Sequence, residues 1–200
     1  LYLERAEDRT SWSQHRKTLV ADRQFDELTL GILGMGRIGS TVAGFADALG
    51  FQTIASDLEE IPVDRRHGAE MVSTEALFER SDVLTIHVDG RRSNRGLIGD
   101  DLLKRMKENA VLINTSRGFV MEHDSLRNLL EARSDVRAFL DVHDPEPPPE
   151  GDPLFDRPNA RLLPHLASRT ETAMARMSDV VEDIWAVLEG REPTWPAPED

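Results

Sequence analysis

Gly34-Met35-Gly36-Arg37-Ile38-Gly39 is a G-x-G-x-x-G run. It follows a compact apolar stretch, residues 28–33, and opens a segment with apolar residues at Ile38, Val42, Phe45, Ala46 and Leu49. That spacing is a helical period, and Gly50 closes it in the C-cap position. A glycine loop between strand and helix can hold a pyrophosphate. Gly34 permits the tight turn, Gly36 lets the backbone approach phosphate oxygens at the helix N-terminus, and Gly39 lets helix and sheet pack closely. Asp57 ends the next apolar run, 18 residues after Gly39. A carboxylate there accepts hydrogen bonds from ribose hydroxyls and repels a 2′-phosphate, which favours NAD over NADP. Similar glycine loops occur in α/β proteins that bind no nucleotide, but strand, helix and acid together point to a dinucleotide.

Three further residues are chemically suggestive. Arg117 follows Asn114-Thr115-Ser116, Glu146 follows Asp141-Val142, and His165 follows Pro164. An arginine can clamp a carboxylate bidentately. A histidine trades a proton near neutral pH, and a glutamate beside it fixes its orientation and favours its charged form. Taken singly, each also has a structural reading: a neutralised helix end, an acidic loop, a turn histidine. Their shared position after successive apolar runs favours chemistry.

The elements that must position them alternate along the chain. Short apolar runs at 28–33, 52–55, 69–72, 83–88, 110–114, 136–142 and 161–163 read as strands. Helical patterns cover 37–49, Thr74–Arg80, 100–106, 122–132 and one long amphipathic stretch, 168–189. Ser73 or Thr74 is placed to cap the second of these. Alternation of this kind predicts an α/β fold: a Rossmann-type doubly wound parallel sheet with helices on both faces. Val-Leu-Thr-Ile-His-Val and Ala-Val-Leu-Ile-Asn read as strands buried on both sides. Residues 144–153 hold five prolines among acids and predict an extended surface loop.

These pieces resemble the NAD-binding domain of the D-isomer-specific 2-hydroxyacid dehydrogenases. The matching segments are Leu-Gly-Ile-Leu-Gly-Met-Gly-Arg-Ile-Gly, Asn-Arg-Gly-Leu-Ile-Gly at 94–99, Ile-Asn-Thr-Ser-Arg-Gly at 113–118, Leu-Asp-Val at 140–142 with Glu146-Pro147, and Leu-Pro-His at 163–165. They stand in the family order and cover roughly residues 26–170. The resemblance implies that Arg117 holds the substrate carboxylate and carbonyl. It implies that His165 is the general acid/base, that Glu146 supports it, and that Asp141 binds the nicotinamide carboxamide. It places Gly34, Gly36, Arg37, Ile38, Gly39 and Asp57 around the cofactor, with His87, Val88, Thr115, Ser116, Arg117, Asp141 and His165 completing that site. It implies hydride transfer between NAD and C2 of a D-2-hydroxy acid or 2-oxo acid. A corepressor-like NAD(H)-sensing module on the same scaffold is the alternative, and the presence of Arg117, Glu146 and His165 favours the enzyme.

Departures from the family pattern are informative. Asp89-Gly90-Arg91-Arg92-Ser93 replaces a proline-containing loop near the cofactor. Its arginines either touch a phosphate or decorate the surface, and the surface reading is preferred. Arg169 either favours a second negative group on the substrate or faces solvent, with solvent preferred. Only 33 residues precede Gly34, whereas the family carries a smaller domain there. The expected organisation is therefore a crossover and dimer arm at 1–25, the NAD-binding domain at 26–168, a helix at 169–190 returning to an absent substrate domain, and a loose tail at 191–200. An apolar stripe on that helix lacks a partner unless a second chain covers it.

Composition sets the outer bounds. The 200-residue chain carries a net charge of −13 and no cysteine. Thiolate chemistry and cysteine-ligated metal are excluded, and no metal is expected. An acidic surface repels nucleic acid and anionic lipid, so neither is an expected partner. The polar opening segment has no apolar core of a signal peptide. A cytoplasmic homodimer acting on a small 2-oxo or 2-hydroxy acid is the expectation.

Overall fold

The computed structural model describes residues 7–18, 23–194 and 196. Parts of the expected N-terminal arm (1–6 and 19–22) and of the tail (195 and 197–200) lie outside the described residues. Helix α1, Arg9–Thr18, is the described part of that arm.

From there the chain alternates as expected. Strand β1 (Thr29–Leu33) leads to helix α2 (Arg37–Leu49), then β2 (Gln52–Ser56) and the short β3 (Glu70–Met71). Helix α3 (Thr74–Arg80) precedes β4 (Val83–Ile86), α4 (Asp100–Leu103) precedes β5 (Val111–Asn114), and α5 (His123–Ala132) precedes β6 (Arg137–Leu140). Strand β7 (Ala160–Leu162) ends the sheet, and α6 (Glu171–Arg176) and α7 (Val180–Leu188) follow. All seven strands pair in parallel, in the order β3-β2-β1-β4-β5-β6-β7. This is the doubly wound order, with its topological switch point between β1 and β4.

Side-chain alternation along the strands divides the core. Leu30, Ile32 and Ala55 pack with Ala43 and Ala46 of α2 on one face. Leu33, Ile54, Leu84, Ile86, Leu112, Ala138 and Leu140 pack on the other face with residues of α3, α4 and α5. Gly31 lets α3 close on β1, because a Cβ there would collide with the Ser81 hydroxyl. Ser73 caps α3 by accepting from Ala76 N at 3.2 Å.

Some boundaries and one face differ from expectation. Strand β6 alternates exposed and buried residues, with Phe139 40% exposed. On that face α2 packs against β1 and β2, and β6 lies three strands away from β1. The single helix expected at 168–189 is two helices joined by a 3-10 turn, Met177–Asp179. Thr170 caps the first by accepting from Ala173 N at 3.1 Å. Met177, Val180, Val181, Ile184, Val187 and Leu188 are exposed and only Ala186 of α7 is buried among the described residues, so little packing among them holds this stretch to ideal α geometry. Among the described residues no helix is long and apolar enough to cross a membrane.

Candidate active site

Parallel strands deliver their following loops to one rim, at the carboxyl ends of the sheet. The glycine loop lies there, between β1 and α2. Gly34 has φ +94°, and a Cβ would stand 2.8 Å from the backbone of His87 and Val88 at the end of β4. Only glycine adopts that conformation in that space without strain. A Cβ on Gly39 would collide with the Gly34 carbonyl oxygen, whereas one on Gly36 would meet nothing within 4 Å. Thus Gly34 and Gly39 serve the fold, and Gly36 keeps the space before the helix N-terminus open.

Asp57, just past β2, braces this loop. Its Oδ2 accepts from Met35 N at 2.6 Å and its Oδ1 accepts from Glu59 N at 3.0 Å. Around it opens a cavity of about 310 Å³, lined by Gly34, Gly36, Asp57, His87 and Val88 among the expected residues. Met35, Leu58, Ile61, Arg65, Asp89 and Arg91 also line it and lie outside the expected set. Arg91, expected at the surface, is 40% exposed along its side chain and also borders the cavity. Its Nη2 pairs with Asp89 at 2.7 Å in the cavity wall, because Asp89 also accepts from Arg91 N and Asn94 Nδ2 and folds the loop inward. Burial pushes the His87 imidazole below its usual range, and its Nε2 shares a 2.9 Å hydrogen bond with Thr85 Oγ1. The ring is therefore neutral near pH 7 and adds no positive charge to the cleft.

Arg37 and Ile38 are exposed on the first turn of α2. Thr115 is exposed past β5, whereas Ser116 is buried. The Ser116 hydroxyl donates to Asn114 Oδ1 at 2.8 Å, its N–H donates to the same atom at 3.0 Å, and Asn114 Nδ2 donates to the Arg117 carbonyl at 3.1 Å. Asn114 thus folds the turn that presents Arg117. It is absent from the expected site, although its place in Asn-Thr-Ser-Arg-Gly is a usable signal. Arg117 is exposed and rests its Nη1 on the Ser116 carbonyl at 2.7 Å. A Cβ on Gly90 would lie 3.3 Å from Arg117 Nε, so the loop after β4 and the loop after β5 meet at this guanidinium.

His165 and Glu146 come together from loops after β7 and β6. Nδ1 of His165 lies 2.8 Å from Glu146 Oε1. An ionised carboxylate only accepts, so Nδ1 carries the hydrogen and Nε2 is left for proton exchange. Both side chains are about two-fifths exposed, 41% and 39%, so solvent screens the pair. Arg117 stands apart from both, at the neighbouring strand end. Asp141 is 2% exposed, and its oxygens accept from Leu166 N at 2.7 Å and Ala167 N at 2.8 Å.

The fold and this rim define a dinucleotide-binding Rossmann domain that also carries an arginine and a carboxylate-oriented histidine. The chain belongs to the D-isomer specific 2-hydroxyacid dehydrogenase family, whose NAD binding domain model matches residues 2–167. It is 38% identical over 167 residues to a glyoxylate reductase of Korarchaeum cryptofilum, covering 82% of this chain and 50% of that protein. It is 33% identical to a glycerate dehydrogenase of Methylorubrum extorquens, covering 92% of this chain and 58% of that one. The structure of a glyoxylate reductase from Paecilomyes thermophila superposes with a TM-score of 0.79 at 32% identity, over 94% of this chain and 57% of that one. The chain thus spans between half and three-fifths of these relatives. The residues fit NAD, the family's cofactor: a tight glycine turn, open space before Gly36, and a carboxylate at the end of β2.

Proposed function

We propose that this domain supports NAD-dependent interconversion of a D-2-hydroxy acid and its 2-oxo acid. The Glu146–His165 pair carries this reading, since it stands at the same carboxyl-end rim as the glycine loop, past β6 and β7, the strands next in the sheet after β5, which precedes Arg117. Bound NAD supplies the hydride chemistry at C4 of its nicotinamide. Arg117 binds the substrate carboxylate and polarises the 2-oxo group. His165 Nε2 gives the proton to the oxygen in reduction and removes it in oxidation, while Glu146 keeps the proton of Nδ1 in place. The glyoxylate reductase and glycerate dehydrogenase relatives support small 2-oxo acids as the substrate class. Retention of a paired acid/base favours turnover over cofactor sensing alone.

Fluorescence titration with NADH, followed by NADH oxidation with glyoxylate, hydroxypyruvate and bulkier 2-oxo acids, tests the reading. Saturable NADH binding with turnover of at least one of these acids is the expected result. Binding without turnover of any acid would favour a sensing role, and absence of binding would reject both.

A further inference from the structure

We propose that Asp141 is the positioning residue for His165, acting through the backbone of the turn that carries the imidazole. This rests on the assignment of His165 as acid/base. The resemblance places this carboxylate on the nicotinamide carboxamide. Its two observed hydrogen bonds add a contact to the turn that follows His165.

His165 has φ +52°, in the left-handed region. A non-glycine residue stays there only where its surroundings over-determine the conformation. The turn aims two successive N–H groups, those of Leu166 and Ala167, into one concavity, a local anion site made of backbone. The anion is the Asp141 carboxylate, one N–H on each oxygen at 2.7 and 2.8 Å. Only 2% of Asp141 is exposed, so both bonds are shielded from water and hard to replace. On the other side of the turn, His143 Nε2 lies 2.8 Å from the Leu163 carbonyl. The turn is thereby held before and after His165, while Glu146 holds the ring itself. Asp141 directly follows β6, the strand next to β7, whose chain continues into the turn. The register of two neighbouring strands therefore sets where the imidazole stands.

The test compares Asp141→Ala and Asp141→Asn with the wild-type chain without cofactor, by NMR. Hydrogen exchange at the Leu166 and Ala167 amides is one readout. The His165 Nδ1–H resonance, assigned by its absence in His165→Gln, is the other. In Asp141→Ala both amides are expected to exchange at least about tenfold faster, and the Nδ1–H resonance to shift or broaden. Asp141→Asn keeps one acceptor and is expected to show a smaller change; it serves alone if the alanine variant does not fold. Unchanged exchange and an unchanged imidazole resonance would overturn the proposal. Because exchange and resonance are read without substrate, a wild-type chain that shows them but reduces no 2-oxo acid counts against the proposed function alone.

Discussion

The Nδ1–H of His165 donates to Glu146 across 2.8 Å, between residues 19 apart in the chain. This bond chooses the tautomer and leaves Nε2 without the hydrogen. Glu146→Gln keeps an acceptor for Nδ1–H but removes the negative charge. It is expected to retain NADH affinity, to lower kcat for 2-oxo acid reduction, and to change the pH dependence of kcat. His165→Gln removes the proposed acid/base outright, and kcat is expected to fall by about 10²–10⁴. Steady-state rates across pH check both; an unaltered profile in the glutamine variant would show that Glu146 does not act on His165.

Two glycines of one loop are expected to respond in opposite ways. Gly39→Ala drives a methyl into the Gly34 carbonyl and should destabilise the fold by about 1–3 kcal/mol. Gly36→Ala meets no atom within 4 Å and has φ −66°, so urea denaturation should barely change while NADH titration weakens. Equal loss of stability in the two variants would contradict this division.

Asp57 is expected to select the cofactor. Its charge lies beside the cleft, fixed by Met35 N and Glu59 N. Asp57→Ser should weaken NADH and relatively favour NADPH, moving the ratio of their dissociation constants by about tenfold, the scale of one charged hydrogen bond. A constant ratio would remove Asp57 from that role.

Stability is expected to fall with acidification in two separate windows. Burial raises the Asp82 carboxyl, but Lys107 Nζ at 2.6 Å, Thr29 N–H and Arg23 outweigh it and hold it below 3.8. A lowered carboxylate stabilises the fold above its unfolded pKa and loses that contribution as pH falls through the folded one. Asp82→Asn should therefore cost about 1.5–3 kcal/mol at neutral pH and flatten the acid limb below pH 3.8.

The half-buried imidazole of His87 acts at higher pH. Its folded pKa lies below 6.5, so the unfolded chain takes up a proton first as pH drops through 6.5. Stability declines from that point until the folded group also titrates. His87→Gln should remove this slope. Urea denaturation at about pH 7.5 and about pH 5.5 measures it, and an equal slope in the variant would assign it to other groups.

Several of these features are legible in the order of residues along the chain. The glycine loop, the strand–helix alternation and the Ser73 cap each depend on neighbours within a few residues, where periodicity and side-chain–backbone hydrogen bonds leave a readable trace. Arg91 shows the opposite case. Nothing in Asp89-Gly90-Arg91 distinguishes a surface arginine from one in the cleft wall, because the fold of that loop depends on Asn94 closing onto Asp89. The break at Met177–Asp179 is equally hidden, since the apolar stripe continues through it.

The class of fold, the cofactor loop and the identity of the arginine, glutamate and histidine are written in the chain. Folding in three dimensions settled the rest: Glu146 meets His165, Asp141 grips the following turn, and Arg117 stands on a separate strand end beside Gly90. The physical reason is that local patterns encode elements, whereas these contacts join residues whose separation is set by strand order and register.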